Sequence, residues 1–361
     1  MSTLKLFSPA RLGNIDLKNH IVMAPMTRNR ATSDNVPGQI QAIYYTQRSS
    51  AGLIITEGTS PSPNGVGYPR IPGIYTKEQI EGWKLTTDAV HKAGGKIFLQ
   101  IMHSGRVSSI LNLPEGAEVL APSATSPEGD IYTDKGGMQP HTTPKEMTSD
   151  DIKKAIEEYT LASVYAIEAG FDGVELHAAN GYLLEQFISP DTNRRTDEYG
   201  GSIINRSSFV LAVVKSVIEA IGTNRTAIRL SPYGVNAGMT LYPELDETYA
   251  YLVEELNKLG IVYLHMVDHS AMGAPEVPKQ LKQKIRELFK NTLIQCGGYN
   301  RESAEEDLQS GFADLVAFGR PFISNPDFVA RMEEGAELNA PDFNTFYTPG
   351  ETGYIDYTAL S

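Results

Sequence analysis

The feature that most limits the fold is an alternation along the chain, in which short apolar runs are separated by amphipathic segments that close on glycine. Eight runs read as strands: Ile21 to Ala24, Leu53 to Thr56, Ile97 to Ile101, Gly173 to Leu176, Ala227 to Leu230, Val262 to Val267, Leu293 to Gln295 and Leu315 to Phe318. Most are near-continuously apolar, the pattern of parallel strands buried on both faces. Between them, Thr148 to Asp151 forms a Thr-x-x-Asp capping box ahead of Ile152, Ile156, Tyr159 and Ala166, which recur at helical spacing up to Gly170. Phe209, Val213, Val217 and Ile221 precede Gly222 in the same way, and Tyr249, Leu252, Val253, Leu256 and Leu259 precede Gly260. Eight strand-then-helix units predict an α/β protein built as a single (β/α)8 TIM barrel, with its chemistry at the C-terminal strand ends. An open doubly wound sheet is the competing architecture.

Two stretches depart from the repeat. Leu12-Gly13-Asn14-Ile15-Asp16 has turn chemistry between short extended runs and reads as an N-terminal hairpin closing the barrel bottom. Ser104 to Lys145, rich in Gly, Pro, Ser and Thr, is too long for an ordinary loop and reads as a lid or substrate-binding excursion after the third strand. No internal repeat, low-complexity tract or linker interrupts the chain, so one domain over residues 1–361 is expected.

Composition narrows the function. A net charge of -13 argues against nonspecific nucleic-acid binding, which needs clustered Lys and Arg. The N-terminus lacks the apolar core of a secretory signal, and no run approaches the ~20 apolar residues of a membrane span. A cytoplasmic protein, monomeric or homodimeric, is expected. The single cysteine, Cys296, forms no internal disulfide and cannot supply an iron–sulfur ligand set.

The Gly-x-Gly-x-x-Gly and phosphate-loop patterns are absent, so a Rossmann site for a nicotinamide cofactor is not expected. A phosphate corner is: Cys296-Gly297-Gly298-Tyr299 and Phe318-Gly319-Arg320-Pro321 follow the last two apolar runs, where glycine admits an anion to the backbone and Arg320 can bind two oxygens. Turn glycines with a surface ion pair for Arg320 are the structural alternative. His177 and Asn180, just beyond the fourth strand, can aim two N–H donors at one carbonyl oxygen, and Tyr182 stays protonated at neutral pH and can donate a proton nearby. A His-x-x-Asn half of a metal site is the rival reading, but Asn is a poor transition-metal ligand and no second histidine is suitably placed nearby. Arg229 inside Ala227-Ile228-Arg229-Leu230 requires an anionic partner, and Gln100 offers a donor and an acceptor from a buried strand. An internal salt bridge for Arg229 and a backbone-bonding role for Gln100 are the alternatives.

The segment from His177 to Phe187, the run Asn193-Arg-Arg-Thr-Asp-Glu-Tyr-Gly-Gly-Ser202, Ala24-Pro25-Met26-Thr27-Arg28, Ala317-Phe318-Gly319-Arg320 and the tail around Phe346-Tyr347 are shared motifs. On these, nearly end to end, the chain resembles the Old Yellow Enzyme family of FMN-dependent ene-reductases, including bacterial N-ethylmaleimide reductases. The resemblance implies FMN held without a covalent bond, NADPH or NADH as transient reductant, and an activated alkene or nitro compound as substrate. It implies that Pro25, Met26 and Gly58 line the flavin ring, that Thr27 bonds its C4 carbonyl, that Gln100 meets the pyrimidine edge and that Arg229 faces N1 and C2. It further implies that Gly297, Gly298, Gly319 and Arg320 hold the phosphate, that His177 and Asn180 bind the substrate oxygen and that Tyr182 donates the proton. Tyr68, Met102 and Tyr347 are expected to line the substrate pocket. A flavin-binding redox sensor on the same barrel is the alternative function.

Overall fold

The computed structural model describes residues 4–360. Residues 1–3 and 361 of the expected domain span lie outside the described residues. An antiparallel hairpin comes first, β1 (Ala10–Leu12) with β2 (Ile15–Leu17). Eight parallel strands then close a barrel: β3 (Ile21–Met23), β4 (Leu53–Ile55), β5 (Ile97–Ile101) and, after an excursion, β10 (Gly173–Ala178), β11 (Thr226–Leu230), β12 (Tyr263–Val267), β13 (Thr292–Cys296) and β14 (Leu315–Phe318). Pairing of β14 with β3, Val316 opposite Ile21, shuts the ring, so the open doubly wound sheet is excluded. All eight expected runs are barrel strands. Six of them differ at an end by one or two residues, because ladder pairing rather than apolarity sets a strand end, and the other two match at both ends. The largest shift matters for function: β10 continues to Ala178, so His177 lies within the strand, paired in register with Arg229 of β11, and not beyond it.

The expected helices form where their stop signals lie. Thr148 caps the helix Ser149–Glu168, its side chain accepting from the Asp151 backbone N–H while Asp151 bonds back to the Thr148 N–H. The helices Ile203–Ile221 and Leu245–Leu259 end on Gly222 and Gly260, both at positive φ. Their apolar stripes pack onto the outside of the barrel: Val213, Val217, Leu252 and Leu256 are fully buried there with Leu176, Ile228 and Leu264. Burying each such side chain contributes roughly 1.5–3 kcal/mol.

The hairpin lies across the N-terminal strand ends. Leu12 and Leu17 join Val22, Leu53, Phe98, Ala227 and Leu315 in an apolar plug, as expected of a device that closes the barrel bottom. The excursion holds β6 (Leu120–Ala121) paired with β9 (Lys145–Glu146), and a second hairpin of β7 (Asp130–Thr133) with β8 (Gly137–Pro140). It is tied to the barrel by Arg195, which donates to the carbonyls of Pro122 and Met147 and pairs with Asp197. Among the described residues, no helix is long and apolar enough to cross a membrane.

Candidate active site

A cavity of about 870 Å³ opens at the C-terminal ends of the barrel strands. Its wall contains Pro25, Thr27, Tyr68, Gln100, Met102, His177, Asn180, Tyr182, Arg229 and Tyr347, residues scattered over more than three hundred positions. The hairpin β7–β8 adds Asp130, Ile131 and Tyr132, which gives the long excursion its place over the mouth. Phe343 and Tyr347 stand there as well, each about 60% exposed.

The geometry around His177 and Asn180 follows from local backbone. His177 Nδ1 accepts from the Ala179 N–H at 3.3 Å, so in the neutral ring the proton resides on Nε2. Burial, then the charge of Arg229 and the nearby His265 and His269, holds His177 well below its usual value, and the ring is neutral at physiological pH. The chain then turns through two left-handed residues, Asn180 at φ 61° and Gly181 at φ 81°. Asparagine tolerates that region better than other side chains. At Gly181 only glycine serves, since a Cβ there would meet Ala237 Cβ at 2.8 Å and the Asn236 carbonyl at 2.9 Å. Glu185 braces this turn from below. Its carboxylate accepts from Gly181 N–H at 2.6 Å, Tyr249 O–H at 2.7 Å and Ser231 O–H at 2.8 Å, and Ser231 in turn accepts from Asn180 N–H at 2.9 Å. Tyr182 follows, its ring edge-on to His177 at 4.8 Å and its hydroxyl 3.2 Å from that of Tyr68. Burial raises Tyr182 above its usual value, which keeps it an acid at neutral pH.

Arg229 is 5% exposed, its Nε lacks a hydrogen-bond partner, and its Nη2 reaches the Cys296 sulfur at 3.9 Å. The internal salt bridge considered from the sequence does not form with the neighbouring carboxylate. Glu175 is taken up instead by His265 Nδ1 at 2.8 Å and Gln100 Nε2 at 2.8 Å. Burial pushes Glu175 up, but His265 and then Arg229 hold it below the usual carboxylate value. Burial likewise pulls His265 down, and Glu175 more than offsets this. Gln100 therefore bonds a side chain, not backbone, through its amide nitrogen. A buried guanidinium without a carboxylate suits an anionic planar group lodged in the barrel mouth.

Met26, Gly58, Gly297, Gly298, Gly319 and Arg320 do not line this cavity. Gly297 and Gly298 have φ of 128° and 67°, and a Cβ at Gly297 would stand 2.0 Å from the Asp268 carbonyl oxygen. At Gly319 a Cβ would meet nothing nearer than Met26 Sδ at 3.6 Å, so the backbone there is open to a close ligand. Arg320 is exposed at the start of the short helix Arg320–Ser324. Gly58 is buried against Met102, whose Sδ would lie 2.5 Å from an added Cβ. Bare backbone at the ends of β13 and β14, beside the unpaired Arg229, fits the phosphate and ring of FMN.

The sequence pattern of the NADH:flavin oxidoreductase / NADH oxidase family matches residues 5–339. The chain belongs to this family, in its Old Yellow Enzyme branch. It is an NAD(P)H-dependent flavin oxidoreductase of an FMN-dependent family. Among its relatives, 12-oxophytodienoate reductase 1 of Oryza sativa subsp. japonica is 42% identical over 365 residues, 99% of this chain and 94% of the relative. The solved structure of morphinone reductase superposes with a TM-score of 0.95 at 46% identity, covering 99% of this chain and 97% of that one. An Old Yellow Enzyme homologue from Zymomonas mobilis gives 0.94 at 42% identity, covering 98% and 99%.

In this Old Yellow Enzyme barrel the structure adds residues that sequence reasoning passed over. His269, at the cavity wall, places Nε2 2.6 Å from Asn180 Oδ1, so a second histidine does stand beside the His-x-x-Asn pair, brought by a loop 89 positions from Asn180. Among the described residues no group of three or more His, Cys, Asp or Glu is arranged to hold a metal. Glu175, His265 and Glu185 were equally unremarked. The signal that singled out Arg229, a charged residue within an apolar strand, applies to Glu175 in Gly173-Val174-Glu175-Leu176 and to His265 in Tyr263-Leu264-His265-Met266. The rule that picked His177, a polar side chain at a C-terminal strand end, applies to His269.

Proposed function

We propose that this chain is an ene-reductase that reduces the electron-poor C=C bond of α,β-unsaturated carbonyl compounds, maleimides or nitroalkenes, with NADPH or NADH as reductant. The observation that carries this reading is the convergence, on one cavity wall, of a neutral His177, the Asn180 amide and the Tyr182 hydroxyl beside an unpaired buried Arg229. Pro25, Met26, Thr27, Gly58, Gln100 and Arg229 hold the flavin ring, and Gly297, Gly298, Gly319 and Arg320 its phosphate. FMN bound there would supply the redox chemistry, hydride transfer from NAD(P)H and on to the alkene β-carbon.

The remaining work belongs to side chains of this protein. His177 Nε2–H and the Asn180 amide hold the carbonyl or nitro oxygen and stabilise the negative charge that develops there. Tyr182 O–H delivers a proton to the α-carbon. Tyr68, 3.2 Å away, supports the Tyr182 oxygen once the proton has left, by turning its own hydroxyl to donate. Tyr68, Met102 and Tyr347 shape the substrate space over the flavin. Relatives named for 12-oxophytodienoate and morphinone act on ketones, as those names state, and an oxygen-holding donor pair suits that chemistry. We further propose one domain over residues 1–361 and a cytoplasmic setting, where the buried free thiol of Cys296 stays reduced.

The test is the visible spectrum of the purified protein, followed by anaerobic NAD(P)H oxidation with and without 2-cyclohexenone. A yellow protein that turns over the enone supports the reading. A colourless protein that cannot be reconstituted with FMN overturns it, and a yellow protein inert to every activated alkene points to a redox sensor instead.

A further inference from the structure

A carboxamide has a donor end and an acceptor end, and a half-turn about its last side-chain bond exchanges them. Asn180 can grip a substrate oxygen only if its NH2 end faces the cavity. Its partner across the wall is His269, which is buried on the loop after β12. That loop is held firmly: Asp268 accepts from the Ser270 N–H at 2.8 Å, pairs with Lys282 at 2.6 Å and donates its own N–H to the Cys296 carbonyl at 2.9 Å. Burial, followed by the charge of Arg229 and against the opposing pull of Asp268, lowers His269 to about 4, so the ring is neutral at physiological pH and carries a single N–H. Because an amide oxygen only accepts, the contact of 2.6 Å between His269 Nε2 and Asn180 Oδ1 places that N–H on Nε2.

We propose that His269 is a positioning residue: by donating to Asn180 Oδ1 it fixes the amide with its NH2 end toward the cavity, and so commits the site to ligands that present an acceptor oxygen. The two oxygen-binding side chains are then oriented by separate devices, His177 by the backbone N–H of Ala179 and Asn180 by His269. This inference rests on the reading that Asn180 holds the substrate oxygen.

The experiment compares His269→Gln, His269→Glu and His269→Ala in the FMN-loaded enzyme at pH 8. It reads equilibrium binding of 2-cyclohexenone to the oxidised protein from the visible band, together with kcat/KM. Gln and Glu have nearly the same size, so their contrast isolates hydrogen-bond polarity from packing. Loss of one neutral hydrogen bond in His269→Ala is expected to weaken binding about tenfold. His269→Gln, which still offers an N–H, restores binding to within about threefold. His269→Glu presents an acceptor, turns the amide over and weakens binding beyond the alanine variant, toward about a hundredfold, roughly the loss of an oxyanion donor. In an Asn180→Ala background the His269→Ala change is expected to add nothing.

Equal effects of Gln and Glu, or additive losses in the double variant, overturn the positioning role while leaving Asn180 as the oxygen ligand. Unchanged binding in Asn180→Ala alone overturns both. That result separates failure of the underlying reading from failure of the inference built on it.

Discussion

The two ends of the barrel are built on the same eight strands and serve opposite purposes. At the bottom, Leu12 and Leu17 of the hairpin meet Val22, Leu53, Phe98 and Ala227 in a closed apolar plug. At the top, strands of the same barrel carry Gln100, Glu175, His177, Arg229 and His265, and a loop brings His269, so that polar groups are buried and two atoms, Arg229 Nε and His265 Nε2, are left without a partner. The ladder of backbone hydrogen bonds is indifferent to this contrast. What differs is whether side-chain demand is met inside the protein. The bottom is self-sufficient and contributes stability. The top is completed from outside.

Four changes test that division, from the largest expected effect to the smallest. Tyr182→Phe is expected to slow anaerobic flavin reoxidation by 2-cyclohexenone by about 10²–10⁴, the usual contribution of a placed general acid, while leaving the melting temperature close to that of the parent. Stopped-flow absorbance reads the first and calorimetry the second. At the opposite end, Leu12→Ala is expected to lower the unfolding free energy by about 2–5 kcal/mol in urea titrations without altering enone binding, because it opens a cavity far from the site. Enone binding that weakened together with stability would break the division of labour.

The third change concerns pH. Burial raises Glu185 to about 7 from an ordinary value of 4.5, so the folded state holds its proton more tightly than the unfolded chain. Its contribution to stability is full below about 4.5 and is lost as pH rises through about 7, a span worth about 3 kcal/mol at most. Glu57, also raised to about 7, acts over the same window. Glu185→Gln removes a proton that the fold holds and the unfolded chain releases, so the slope of unfolding free energy against pH between about 4.5 and 7 is expected to become more positive than in the parent, whose buried neutral histidines His103, His177 and His269 act in the opposite sense to Glu185. An unchanged slope in urea titrations would show that Glu185 is not the titrating group.

The smallest effect sharpens the comparison most. Arg229→Met removes a buried cation that has no internal carboxylate partner, so the FMN-free protein is expected to be no less stable, while FMN affinity falls by about tenfold to a hundredfold, as for a charged hydrogen bond. Fluorescence titration of the apoprotein with FMN measures it. A loss of apoprotein stability instead would mean that Arg229 is satisfied from within.

Much of this was legible in residue order. Uninterrupted apolar runs and glycine-stopped helices located all eight strands, since burial on both faces and left-handed helix ends leave local marks. Arg229, His177, Asn180 and Tyr182 stood out because each is a polar residue where the local pattern calls for an apolar one, or follows directly on such a place. The extent of β10 was not legible, because Ala178 joins the strand only through its pairing with Leu230. Nor were the partners of the site residues. Gln100 with Glu175, Glu185 with Ser231 and Tyr249, and His269 with Asn180 are joined across 46 to 89 positions, which no local spacing encodes.

The sequence by itself determined the barrel, its closure at the bottom and the residue types gathered at its top, because hydrophobic periodicity and turn chemistry act over a few residues at a time. Only the tertiary structure decided which way those side chains present their donors. The orientation of the Asn180 amide depends on a single neighbour within about 3 Å, His269, and that neighbour arrives on a loop 89 positions along the chain.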